Sequence, residues 1–418
     1  MHPCICLLKV AASALIVCLA LAVSSLPASA QARDTASVDT QFRKWLVGTV
    51  WPDALEKGVS RATFDRALAT VTLDWSLPEL QPPGKTTAPD DQRQAEFQSP
   101  GAYFSESQLT SLAKTGASLL QQWAPLLDSL ERRYGVPREI LVAVWGRESH
   151  FGRVRPKHQA LRVLATQAFM GRRRTLYYPE LVAALLILER EHLPGETLLS
   201  SWAGAMGQPQ LLPSQFLRYA VDADGDGRRN IWSSVPDSLA SIANYLREQG
   251  WEPGRRWGAE VRVPANVSCS EEGPGQGRLV REWEQLGVIP ISAAPLPRDA
   301  TAFLLMPAGR LGPAFLVSQN FYVLKKYNES DLYALFIGHL ADRIQGASTL
   351  AGRWSSIDLM RRGEIWALQE RLWADGYDVG KLDGLVGFAT RTAIGHWQRK
   401  HGQQETCYPD AALIQAFR

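Results

Sequence analysis

Apolar residues recur at spacings of three and four along most of this chain, and the places where that period fails mark its joints. The period predicts helix over residues 33–75, through "FRKWLVGTVWPDALEKG" and "SRATFDRALATV". Residues 78–100, rich in Pro, Gln and Asp, read as an irregular connection. From about 107 to 250 amphipathic helices follow one another, punctuated by Gly and Pro: "SLLQQWAPLLDSLERRYG", "PELVAALLILEREH" and "PDSLASIANYLREQG", the last closing at Gly250. Between 258 and 325 the pattern shortens to "AEVRVP", "TAFLLMP" and "PAFLVS", which predicts a small strand-containing insert. Helix returns at "ESDLYALFIGHLADRI". The polar stretch "QGASTLAGRWSS" then marks a boundary. Beyond it Ile365, Leu368 and Leu372 share one helix face, and Ala393, Ile394 and Trp397 another. The expected fold is mainly α, of α+β type: a large helical domain at 33–345 with a β insert, a linker at 346–357 and a helical module at 358–418.

Composition adds bounds. The chain has 418 residues, 45% of them hydrophobic, with a formal charge of +3. That suffices for one large core and a smaller unit, and the balance argues against nucleic acid as the partner. Lys9, the apolar run "VAASALIVCLALAV" and Ala28-Ser29-Ala30 together read as a cleaved secretory signal over residues 1–30, hence export to the periplasm. No lipoprotein motif surrounds Cys18. Three of the five cysteines leave with that segment. Export permits Cys269 and Cys407 to pair, but they lie far apart, on what read as different domains, and two free thiols fit equally well.

The chemistry concentrates at "AVWGRESHFG". Pro137 opens a helix on which Leu141, Val144, Trp145 and Glu148 share one face, so a carboxylate points where core residues point. Gly152 ends the helix and places Glu148 in its last turn. Apolar surroundings and the negative helix end both favour the protonated acid, which is the profile of a glycosidic proton donor. The competing reading is an ion pair with Arg147, Arg153 or Arg155.

"YGVPREILVAVWGRESHFG" and "SWAGAMGQPQLLPSQF", followed in order by "LATQAFMGRRR", "YAVDADGDGRRNIW", "VPDSLASIANYLREQGW" and "NFYVLKKYNES", resemble the lytic murein transglycosylases of the membrane-bound transglycosylase B type. The resemblance spans roughly residues 40–345. It implies a lysozyme-like domain with a sugar-binding groove that cuts peptidoglycan strands between N-acetylmuramic acid and N-acetylglucosamine, leaves 1,6-anhydromuramoyl ends and requires no cofactor. Glu148 would be the sole general acid and base. A hydrolytic muramidase and a catalytically silent wall-binding scaffold are the alternatives. Ser201 and Gln210 occupy positions that line the groove in the family, on a loop whose Gly204, Ala205 and Gly207 permit close backbone approach. Aromatic rings that stack on sugars point to Tyr177, Tyr245, Tyr322 and Tyr327, with Asn320 beside them. Asn328 is a further candidate, and Tyr103, in the poorly matched Pro-rich region, is a weaker one.

"DADGDGRRNIWS" sets Asp222, Asp224 and Asp226 at alternate positions before Gly227, the first half of an EF-hand loop. Arg228 would contribute its main-chain carbonyl. Ser233 stands where a bidentate acid belongs, and the nearest later acid is Asp237. The family has an EF-hand-like loop here, which points to a weak or structural calcium site. Residues 358–418 resemble the three-helix peptidoglycan-binding domain through Leu368, Asp383, Gly384, Gly387, Thr390 and Gln398. Such a module on a linker would raise the local concentration of the catalytic domain at an insoluble substrate. The expected protein is a monomer held at the cell wall, with peripheral membrane attachment and protein partners left open.

Overall fold

The computed structural model describes residues 28–84, 99–191, 197–291, 294–355, 357 and 360–417, without the side chains of 28–34, 411 and 412. The apolar run and cleavage site of the signal reading lie outside the described residues, save the backbone of its last three, Ala28 to Ala30, which opens the helix Ala28–Trp45. Among the described residues no helix is long and apolar enough to cross a membrane.

Helices dominate, and the largest core gathers around Arg138–Ser149. That helix is apolar on every side, with Ile140 to Gly146 all buried, which makes it a central rod and not the amphipathic element its spacing suggests. Glu106–Gln122, Val235–Glu248 and Asp331–Ile344 enclose it. A second core joins the N-terminal helices to Ala160–Met170 and Arg174–Glu191. The stretch read as one helix around 118–135 is two, Glu106–Gln122 and Ala124–Tyr134. Pro125, in the first turn of the second, lacks the N–H that would continue the first.

The insert is a five-stranded antiparallel sheet in the order Arg278–Leu279, Thr301–Leu305, Ala314–Val317, Gly258–Arg262, Ile289–Pro290. All three strand candidates read from the sequence are in it. The C-terminal module packs the helices Arg362–Ala374, Phe388–Lys400 and Ala411–Ala416 around Leu368, Leu372, Ile394 and Trp397. Inside it Gln369 binds the backbone of Asp383, Gly384 and Leu385 and the Thr390 hydroxyl, which ties together three of the matched positions, Asp383, Gly384 and Thr390.

The module is docked and not merely tethered. Cys269 of the insert and Cys407 of the module form a disulfide, which decides the question left open by the sequence. Arg391 of the module reaches Glu272 and Asp331. The connecting segment is also held: the backbone N–H groups of Ala351 and Gly352 donate to Glu260, and Trp354 packs on Phe104 with centroids 5.2 Å apart.

Candidate active site

Glu148 ends the buried rod because the chain then turns through three consecutive left-handed residues, His150, Phe151 and Gly152. The turn is bought locally: the Ser149 hydroxyl donates to the Trp145 carbonyl and accepts from the Gly152 N–H. Phe151 folds back on Trp145 and covers Gly146, where a Cβ would meet the ring at 2.6 Å. Glu148 is left with a partly accessible edge in an otherwise closed setting.

Its partner is Tyr333, whose hydroxyl donates to Glu148 Oε1 at 2.5 Å. Burial pushes the carboxyl up to about 7, while the Tyr333 bond and the charge of Arg147 pull the other way without prevailing. No ion pair reaches Glu148 among the described residues. Arg147 instead lies over the rings of Tyr103 and Phe336, 4.7 Å from each centroid. Tyr333 was missed by sequence reading. It sits in an apolar helix run, and nothing in the run marks it as different from a core tyrosine.

A file of tyrosines leads away from the acid. Tyr327 stacks on Tyr333 at 6.1 Å, Tyr245 meets Tyr327 at 4.8 Å, and Tyr219 meets Tyr245 at 4.9 Å. The Tyr327 hydroxyl donates to the Pro209 carbonyl, which ties the small-residue loop to this file. In that loop Ser201 Oγ accepts from the Ala205 N–H, and Gln210, at φ +53°, donates to the Gly207 carbonyl; both keep accessible surface. Gln208 braces the loop against the rod. Its Oε1 accepts from Trp145 Nε1 at 2.7 Å, its amide nitrogen donates to the Trp232 carbonyl, and it covers Gly152.

Tyr245 and Tyr327 are thus joined to the Glu148 surroundings, with the loop of Ser201 and Gln210 alongside. The other candidates have different contacts. Asn320 is fully buried, with its amide spent on the backbone of Glu252 and Arg255. Tyr322 packs on Phe303 and Phe321. Tyr177 lies in the second core and accepts from Arg173.

The acidic loop gathers carboxylates differently from the alternate-position pattern. Oxygens of Asp222, Asp224 and Asp237 lie within 4.8 Å of one another, and Asp226 is not in that group. Asp237, fully buried, accepts from the N–H groups of Ala223 and Asn230 and so pins both ends of the loop. Gly227 supplies the sharp turn at φ +84°. Three converging hard oxygen donors fit calcium, and Asp222, Asp224 and Asp237 are the residues that would hold it.

The profile of the transglycosylase SLT domain matches residues 41–342, and that of a putative peptidoglycan binding domain matches 361–417. The chain belongs to the SLT transglycosylase family. It is of the membrane-bound lytic transglycosylase B type, with a lysozyme-like domain and a C-terminal peptidoglycan-binding domain. It is 35% identical over 229 residues to membrane-bound lytic murein transglycosylase B of Escherichia coli (strain K12), a match covering 53% of this chain and 62% of that relative. The chain therefore matches less than two thirds of that protein's length. SltB3 from Pseudomonas aeruginosa, solved in complex with NAG-NAM-pentapeptide, is similar at 39% identity and a TM-score of 0.80, covering 90% of this chain and 99% of that one. Escherichia coli SLT35, solved in complex with calcium, is similar at 28% identity and a TM-score of 0.51, over 59% of this chain and 80% of that one.

Proposed function

We propose that this protein is a peptidoglycan lytic transglycosylase that cuts the β-1,4 bond between N-acetylmuramic acid and N-acetylglucosamine and closes a 1,6-anhydro ring on the muramoyl residue. The observation that carries the reading is the proton affinity of Glu148, raised to about 7 by burial and tempered by a neutral phenol. Burial, Tyr333 and Arg147 set that value, and no second carboxylate is among the causes. Among the described residues no carboxylate contributes to the shift of Glu148, which supports a single acid and base over the two flanking carboxylates of a hydrolase.

In the first step Glu148 donates its proton to the glycosidic oxygen as the bond to C1 breaks. The muramoyl acetamide oxygen stabilises the cation developing at C1. Glu148, now ionised and accepting from Tyr333, takes the proton of the C6 hydroxyl, and that oxygen bonds to C1. The proton count closes, and no water is consumed. A P. aeruginosa SltB3 structure at 38% identity, in complex with NAG-anhNAM-pentapeptide, supports a ring-closed product for this fold.

Tyr327 and the hydroxyl and amide groups of Ser201 and Gln210, which keep accessible surface, would hold the sugars, with Tyr322 further out, whereas Tyr177, Tyr245 and Asn320 are buried and would only back them. The C-terminal domain would bind the same polymer. Calcium, when bound by Asp222, Asp224 and Asp237, would stiffen the loop that backs Gln208 without entering the chemistry. Action on the wall implies export, in keeping with the signal reading of residues 1–30.

The deciding experiment is mass spectrometry of sacculi digested by the full chain. Ring closure gives muropeptides one water lighter than hydrolysis does. Products carrying the extra water would replace this reading with a muramidase. Unchanged sacculi would favour a wall-binding scaffold.

A further inference from the structure

The seam between the two domains runs to the catalytic acid through four charged groups and one tyrosine. Arg391, on the module and 1% exposed, donates from Nε to Glu272 Oε1 at 2.7 Å and from Nη2 to Asp331 Oδ2 at 3.0 Å. Lys325 meets the other Asp331 oxygen at 2.6 Å and lies over the Phe388 ring of the module. Two cations thus face two carboxylates. Without Arg391 the larger domain would keep two buried acids and one ammonium, an arrangement that is costly in a closed interior. The module therefore supplies a charge that the larger domain is built to receive.

Asp331 is the first residue of the helix Asp331–Ile344, and Tyr333 lies in the same first turn. The Tyr333 N–H is capped by Ser330 Oγ, and its hydroxyl ends on Glu148. A shift of Asp331 would move that turn and with it the phenol. Glu272 lies three residues beyond Cys269, so the disulfide to Cys407 and the Arg391 pairs close on one segment.

We infer that Arg391 is a positioning residue for Glu148: the C-terminal domain, beyond binding the wall, fixes Asp331 and the first turn of its helix so that Tyr333 meets the acid. This rests on the reading of Glu148 as the proton donor. It separates the module's two roles, because a substrate too short to engage the module's own binding surface should still depend on Arg391.

The test uses the full chain and a soluble tetrasaccharide of alternating N-acetylglucosamine and N-acetylmuramic acid. Arg391→Met is expected to lower kcat about ten-fold or more with KM little changed, as displacement of a catalytic partner does. Arg391→Lys, which keeps the charge but loses the fork, should fall between and serves as the measurement where Arg391→Met does not fold. In a Tyr333→Phe background either change should cost nothing further, since both act through the same hydroxyl. Wild-type kcat in Arg391→Lys and Arg391→Met, with loss confined to sacculus binding, would overturn the inference, as would losses that multiply with Tyr333→Phe. Products carrying an added water would refute ring closure and leave this comparison standing, because Glu148 donates the proton in both reactions.

Discussion

Glu148 and Asp331 are both enclosed carboxylates, joined through a single tyrosine turn, and their proton affinities are pushed in opposite directions. Burial raises Glu148 to about 7, and a neutral hydroxyl with a more distant guanidinium does not offset it. Burial also pushes Asp331 up, but Arg391 and Lys325 pull harder, and the group ends below the usual carboxylate range. Enclosure alone therefore does not make an acid catalytic. The charge of the partner decides: a phenol leaves a proton that can be passed on, whereas two cations fix an anion that only holds parts together.

The largest expected effect is loss of turnover in Glu148→Gln. With the donor gone, activity on sacculi should fall about 10³-fold or more, while sacculus binding by the C-terminal domain persists. The same substitution should raise stability. A carboxyl whose folded-state value lies above its unfolded 4.5 gives stability that is complete below 4.5 and lost as pH rises through about 7. Urea unfolding should show Glu148→Gln gaining about 2 kcal/mol over wild type near pH 8 and little near pH 5. Asp331→Asn should do the reverse. Its lowered value gives stability that is present above the unfolded 3.8 and lost only as pH falls through the folded value. Near neutral pH the change should cost about 3–5 kcal/mol, because it unbalances a buried network. Equal and small effects from the two substitutions would erase the contrast.

Tyr333→Phe sharpens it, with a smaller loss of kcat, of about ten- to a hundred-fold. The hydroxyl favours the ionised acid, so its removal should raise Glu148 further. The alkaline limb of the kcat/KM profile, set by deprotonation of the donor, should then move to higher pH. A limb that stayed in place would mean that Tyr333 does not touch the titration.

How legible these two acids were from the sequence differs as much as their chemistry. Glu148 stood out because a carboxylate broke an apolar run beside a helix stop. Asp331 did not, since an acid two residues after Glu329 and before a helix is an ordinary first-turn residue. Its role depends on Arg391, sixty residues away in another domain. A still longer separation, 138 residues, hid the Cys269–Cys407 pair, which only the docked module brings together. Periodicity located the helices and three of the five insert strands because local spacing determines which face is buried. It misjudged the 138–149 helix, whose surroundings are apolar on all sides. In the acidic loop, of the acids the sequence offered, the fold gathers Asp222, Asp224 and the later Asp237, which turns inward from the next helix, and leaves Asp226 outside that group.

The smallest effect concerns a third way of managing carboxylates. Asp222, Asp224 and Asp237 converge, and a cation bound from solvent would supply their countercharge. Calcium that binds only the folded loop should raise stability by about 2.7 kcal/mol at a hundred-fold excess over its dissociation constant, seen as a rise in Tm that a chelator reverses. The loop backs Gln208 through the Ile231 and Trp232 carbonyls, and Gln208 holds Trp145 one turn before Glu148. Removing calcium should accordingly lower kcat modestly and leave the pH limb where it is, since no loop carboxylate is among the groups that set the Glu148 proton affinity. Asp237→Asn should abolish the calcium-dependent rise in Tm, whereas Asp226→Asn should largely retain it. A rise that depended on Asp226 and not on Asp237 would restore the alternate-position ligand set in place of the one the fold assembles.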